Sequence, residues 1–124
     1  MAKITGLGGI FYKAADPAAT QKWYQDTLGV GGEWGAVFPF KADVAEGFAL
    51  MSPFKAATDY FAPSEAPFMI NLRVDDLDAM ISDLAAKDVP ILGRQDEDYG
   101  RFAWIMDPDG IKIELFQQIG GIPG

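Results

Sequence analysis

Gly9-Ile10-Phe11-Tyr12-Lys13-Ala14-Ala15-Asp16 and, sixty positions later, Met69-Ile70-Asn71-Leu72-Arg73-Val74-Asp75-Asp76 are two versions of one pattern, an extended stretch that runs into an aspartate. A unit doubled at a fixed offset defines an architecture more firmly than local propensity does. Each aspartate is placed to cap a helix, since its side-chain oxygen can accept from a free first-turn N–H. After Asp16 comes Pro17, at the first helical position where a missing N–H costs nothing, and Gly29 provides a left-handed stop. After Asp76, the residues Leu77, Met80, Ile81 and Leu84 recur at i, i+3, i+4 and i+7, the stripe of a helix lying on a sheet. Trp23, Tyr24 and Leu28 give the first helix its own stripe and are assigned to the core.

Both helices lead back into strands. Extended, β-branched or aromatic stretches predict strands near Trp34–Phe40 and Gly47–Ser52 in the first half, and near Ile91–Gly93, Arg101–Met106 and Ile111–Gln117 in the second. Asp107-Pro108-Asp109-Gly110 is the turn between the last two, with proline early and glycine late. Each half is therefore a strand, a helix and two or three more strands. The stretch around 57–67, with Pro63 and Pro67 and no periodicity, is expected to be a linker, dividing one domain of 124 residues into modules at about 1–56 and 68–120.

Side chains in a strand change face at every residue, which sorts the strands into two surfaces. Ile10, Tyr12 and Ala14, Ile70, Leu72 and Val74, and Ile111, Ile113 and Leu115 form the apolar set expected under the helices. The opposite face then holds Phe11, Met69, Asn71, Arg73, Lys112, Glu114 and Phe116, a polar and aromatic surface suited to a cleft.

Composition narrows the function classes. A formal charge of −8 with no basic run repels a nucleic-acid backbone, so no nucleic-acid partner is expected. Without cysteine or histidine the chain has no disulfide, no thiolate metal site and no serine–histidine pair. Gly6-Leu7-Gly8-Gly9 lies in or before a strand and does not form a dinucleotide loop. No apolar run approaches about 18 residues and the start lacks an apolar signal core, so no membrane span and a cytoplasmic location are expected.

Several motifs together resemble the vicinal oxygen chelate superfamily, which includes glyoxalases, bleomycin-resistance proteins and extradiol dioxygenases. They are Asp16 with Trp23-Tyr24 and Leu28-Gly29, the run Arg73 to Ala79, and Gly100-Arg101-Phe102-Ala103-Trp104 leading through Asp107-Pro108-Asp109-Gly110 to Ile113-Glu114-Leu115. The resemblance covers nearly the whole chain. It implies an α+β fold of two βαβββ modules forming a curved, incompletely closed mixed β-sheet barrel with a central cleft, and a homodimer. It also places metal ligands, in members that have them, at the positions of Gly9, Met51, Met69 and Glu114. Glycine offers no side-chain donor and a thioether is too soft for Mg, Mn or ferrous iron, so no metal and no cofactor are expected.

Three roles are open for Glu114: an ion pair with Arg73, Lys13 or Lys112, an anchor for a cationic or hydrogen-bonding ligand, or the only candidate general base, its pKa raised by an apolar lining. Phe11, Met51, Met69, Trp104 and Phe116 are candidates for the ligand surface, together with Asn71 and Arg73. Arg101, beside Tyr99 and Gly100, is a candidate anion clamp at the rim or a member of a surface salt bridge. The aromatic stretch from Trp34 to Phe61 is available to close the cleft or to bury a dimer interface. The resulting expectation is a metal-independent small-molecule binding protein. A glyoxalase-like lyase, isomerase or dioxygenase-related enzyme is the alternative, and a structural or interaction module a third class.

Overall fold

Asp16 and Asp76 each accept, through Oδ1, a hydrogen bond from the backbone N–H three residues on, Ala19 and Ala79 respectively, both at 3.1 Å. The helices they open are α1 (Pro17–Leu28) and α2 (Leu77–Ala86). Gly29 ends the first with φ of 70°, a conformation that glycine adopts without the Cβ penalty. The computed structural model describes residues 2–29, 31–40 and 47–121.

The strands are β1 (Ile4–Ala14), β2 (Ala36–Phe40), β3 (Gly47–Lys55), β4 (Phe68–Val74), β5 (Gly93–Glu97), β6 (Gly100–Met106) and β7 (Lys112–Gln118). They form one open sheet in the order β2-β3-β1-β4-β7-β6-β5. Within the first module β1 and β3 run parallel, and within the second β4 and β7 do. The modules join where β1 pairs antiparallel with β4 in the same chain. Module two is βαβββ; module one holds β1, α1, β2 and β3 among the described residues.

Alternation separates the faces as the sequence predicts. Between α2 and the sheet, Leu77 of the helix is buried with Val74, Ala103 and Leu115 of the strands, packed by Leu72, Met80, Ile81, Leu84, Ile105 and Ile113. On the other face Phe11, Met69 and Phe61 form a second buried cluster with Leu50, Phe54 and Trp104 against it.

Four expectations need correction. Ile10, expected under a helix, is 45% exposed. Trp23 is 54% exposed. It is adjacent to Tyr24, so the two side chains stand about 100° apart around the helix and cannot both face the sheet; Tyr24 does, beside Tyr12 and Met51. The side chain of Leu28 lies outside the described residues. The third strand of module two is Gly93–Glu97 rather than Ile91–Gly93, because an edge strand paired only with β6 tolerates a polar sequence, while Ile91 packs toward α2. The expected linker is not a passive connector, since it carries Phe61 at 0% exposure. It turns on the bonds Thr58 N to Lys55 O, Ala62 N to Asp59 O and Ser64 N to Phe61 O, which satisfy the backbone with no regular element for periodicity to reveal.

Candidate functional site

One rung of the sheet sets the site. Gly9, Asn71, Glu114 and Trp104 stand side by side on β1, β4, β7 and β6. The turn before β7 aims the glutamate: Asp107 Oδ1 accepts from the N–H of Asp109 and of Ile111 at 2.8 and 2.9 Å, and Gly110 takes φ of 81°. Ser64 Oγ donates to Gly110 O at 2.6 Å and ties the 57–67 segment to the same turn.

Glu114 is 2% exposed, and its carboxylate is held by neutral donors from both sides of the rung and from above. Asn71 Nδ2 donates to Oε1 at 2.7 Å, and Trp104 Nε1 donates to Oε2 at 2.9 Å. The third donor is the Tyr60 hydroxyl, also to Oε2. Burial raises the pKa of Glu114, while the Tyr60, Trp104 and Asn71 hydrogen bonds and the Lys112 charge oppose that rise. Burial and the neighbouring carboxylate push the Tyr60 hydroxyl far above its usual range, so it remains a donor. Lys112 reaches the assembly from outside, donating Nζ to Tyr60 O at 2.6 Å and lying 5.4 and 5.6 Å from the Tyr60 and Trp104 ring centroids. Its own pKa is lowered by burial, with Glu114 and Asp59 acting in the opposite direction.

Above the carboxylate is an open cleft of about 340 Å³. Phe11, Leu50 and Phe54 wall it from module one, Phe102 from module two, and Ser52 and Glu114 supply polar atoms. Trp34 and Tyr99, one from each module, meet edge-on at the mouth with centroids 5.2 Å apart. A narrower recess of about 40 Å³ adjoins the cleft at Gly8, Asn71 and Phe116 and is also lined by Trp34 and Tyr99.

The structure brings Phe11, Asn71, Glu114 and Phe116 to these two spaces, and Trp104 to the carboxylate. Met69, at 0% exposure, packs beneath the cleft with Phe11 and Phe61. Arg73, at 1%, is built into the wall: its guanidinium lies 5.6 Å from the Phe40 and Phe116 centroids and 5.9 Å from that of Phe48, and donates to Phe48 O at 3.2 Å.

Two candidates face the wrong way. Met51 pairs with Ile10 and lies on the helix side beside Tyr12 and Tyr24. The residue matching Glu114 in the repeat is Ser52, which pairs with Phe11 as Glu114 pairs with Asn71, positions 11 and 71 being sixty apart. Arg101 shares the face of Ala103, under α2, and its guanidinium lies 3.5 Å from Asp78 Oδ2. It is a surface pair and clamps nothing in the cleft.

The sequence offers Tyr60 only as one ring of the aromatic stretch from Trp34 to Phe61 and not as a partner of Glu114, because it sits in a turn and not in a strand with a readable face. Phe102 is legible: it alternates with Ala103 and shares its face with Trp104.

The residues do not fit the family's metal. Gly9 has φ of 154°, and a Cβ there would stand 1.8 Å from Leu50 O, so no side chain can project from that position. Met51 is on the other face and Met69 is sealed in the core. Glu114 already faces three hydrogen donors, whose protons would oppose a cation at the same lone pairs.

A family model described as Glyoxalase/Bleomycin resistance protein/Dioxygenase superfamily matches residues 7–115. No curated protein matches the chain in sequence. Among solved structures, a Streptomyces coelicolor methylmalonyl-CoA epimerase variant in complex with 2-nitronate-propionyl-CoA superposes with TM-score 0.68 at 20% identity, covering 95% of this chain and 100% of that one. The Mycobacterium tuberculosis methylmalonyl-CoA epimerase gives 0.60 at 19%, covering 94% and 90%. The Mn(II)-bound glyoxalase from Novosphingobium aromaticivorans gives 0.61 at 17%, covering 100% of this chain and 42% of that one. At these identities the likeness concerns the fold.

Proposed function

The chain belongs to the Glyoxalase/Bleomycin resistance protein/Dioxygenase superfamily, and we propose that within it this protein is a metal-independent small-molecule binder whose ligand sits in the cleft above Glu114. The observation that carries this reading is the carboxylate itself, buried, saturated on one oxygen by Tyr60 and Trp104, and set in the floor of an aromatic cleft. A cleft of about 340 Å³ falls at the lower end of the range for small-molecule sites, which are mostly apolar with a few placed polar groups. Ser52 and Glu114, with Gln21, Glu33 and Tyr60, supply such groups here, and the rings of Phe11, Phe54 and Phe102 offer flat walls.

The test is an equilibrium-binding screen of aromatic and aliphatic small molecules, read by tryptophan fluorescence with metal and with chelator. Saturable binding that chelator leaves unchanged is expected. Uniformly absent binding at millimolar concentration, or binding that requires metal, would overturn the reading. A second reading, an isomerase-type enzyme using Glu114 as base, is favoured by the burial-raised pKa of that carboxylate. It predicts a ligand that turns over in the wild type and only binds in Glu114→Gln.

We propose a homodimer and a cytoplasmic location on the grounds of family resemblance and sequence. No described helix is long and apolar enough to cross a membrane.

A further inference from the structure

We infer that the floor of the cleft selects a flat organic cation whose charge sits on N–H groups, an amidinium or guanidinium, through two acceptors: Glu114 Oε1 and Asn71 Oδ1. This rests on the binding reading above and specifies the chemistry of its ligand.

A carboxylate only accepts, so the Asn71 nitrogen must be the atom that faces Glu114, at 2.7 Å. That orientation turns Asn71 Oδ1 the other way, over Gly8, where an added Cβ would lie 1.8 Å from it. Asn71 is 3% exposed, and among the described residues its Oδ1 has no hydrogen-bond partner. A buried acceptor in that condition demands a donor. Glu114 contributes a second. Its Oε2 takes hydrogens from Tyr60 and Trp104, whereas among the described residues Oε1 takes one only, from Asn71, out of the two lone pairs each carboxylate oxygen has.

Asn71 and Glu114 both line the recess, which at about 40 Å³ is too small for a ring and leaves room only for a ligand's head group. The recess and the outer cleft share Phe11, Leu50 and Phe102, which places a planar body directly behind such a head. The charge has the required sign. Glu33 lines the outer cleft, and no lysine or arginine lines either space among the described residues. Lys112 approaches Glu114 from beyond the Tyr60 and Trp104 rings, and Arg73 keeps its guanidinium among Phe40, Phe48 and Phe116. A quaternary ammonium would satisfy the rings and the charge but would leave both acceptors without hydrogens.

Three probes of similar size separate these effects: benzamidine, phenyltrimethylammonium and acetophenone, titrated into the full chain by calorimetry at neutral pH. Benzamidinium is expected to bind at least about ten-fold more tightly than either of the others, the scale of a charge-assisted hydrogen bond. In Glu114→Gln that preference over acetophenone should largely disappear. Phenyltrimethylammonium binding as tightly as benzamidinium would overturn the inference by showing selection on charge alone. Acetophenone binding as tightly would overturn it by showing an apolar site, while leaving the binding reading intact. If none of the three binds at millimolar concentration, the inference fails whatever else the broader screen finds.

Discussion

The Tyr60 hydroxyl donates to Oε2 of Glu114, and this bond joins a turn of the inter-module segment to a strand of the second module, 54 positions away. Its position makes the segment part of the site. Tyr60 also stacks on Phe54, with centroids 5.4 Å apart, and stands edge-on to Trp104 at 6.0 Å. Tyr60→Phe keeps those ring contacts and removes one donor from a buried carboxylate. A loss of about 1 to 2 kcal/mol is expected, below the full value of a charged hydrogen bond because Tyr60 is partly exposed. Urea unfolding with an unchanged m-value checks it; an unaltered midpoint would mean that the bond contributes nothing.

Glu114→Gln probes the carboxylate through pH. In the folded chain burial holds the pKa of Glu114 above its ordinary value of 4.5. Between 4.5 and the raised value the folded state therefore binds more protons than the unfolded state, and stability falls as pH rises through that window. The contribution is fully present below 4.5 and lost once pH exceeds the raised value. The amide removes this slope. The Asn71 amide can turn to accept from the new one, so Glu114→Gln should be less pH-dependent from acid to neutral pH and more stable than the wild type at neutral pH. Thermal unfolding at a series of pH values measures both; parallel curves for the two proteins would contradict the prediction.

Much of this site can be read in alternation alone. Period two places Phe11, Asn71, Glu114 and Phe116 on the cleft side, because each strand carries a clean apolar set on its other face. The same logic applied to β6 turns Arg101 toward α2, since Ala103, two residues on, is buried there. The family resemblance leads to Met51, whereas the sixty-residue repeat combined with the β1–β3 register leads to Ser52. The sequence shows Tyr60 and Phe61 only as two rings of the aromatic stretch from Trp34 to Phe61, without marking which of them reach the cleft. A turn has no period, and its burial depends on contacts with Phe54, Trp104 and Glu114, distant in sequence, that only the folded sheet brings near.

Gly9 tests whether a metal site can be restored. Its φ of 154° and the 1.8 Å that would separate an added Cβ from Leu50 O leave no room for any side chain. Gly9→Ala should cost about 2 kcal/mol or more, since the clash is with backbone. Gly9→His combined with Met69→His should bind no stoichiometric cobalt or zinc. Tight metal uptake with tetrahedral or octahedral spectra would show that β1 can re-register and that the site is a latent metal centre.

The faces of β3 and β6 predict which substitutions a ligand will feel. Leu50, Ser52 and Phe54 line the cleft while Met51 packs beside Tyr12, and Phe102 lines it while Arg101 meets Asp78. Arg101→Ala and Met51→Leu should therefore leave affinity for a cleft ligand within about two-fold, the scale of substitutions that touch no part of a site. Phe102→Ala removes a ring that stacks on Phe116 at 5.1 Å and should weaken binding about ten-fold, as loss of a central aromatic contact does. Ser52→Ala removes the hydroxyl and little else, so its effect reports whether the ligand hydrogen-bonds in module one as well as at Glu114. Calorimetric titration of the four variants with one ligand settles the assignment: a large loss in Arg101→Ala with none in Phe102→Ala would place the ligand on the helix face and refute the cleft.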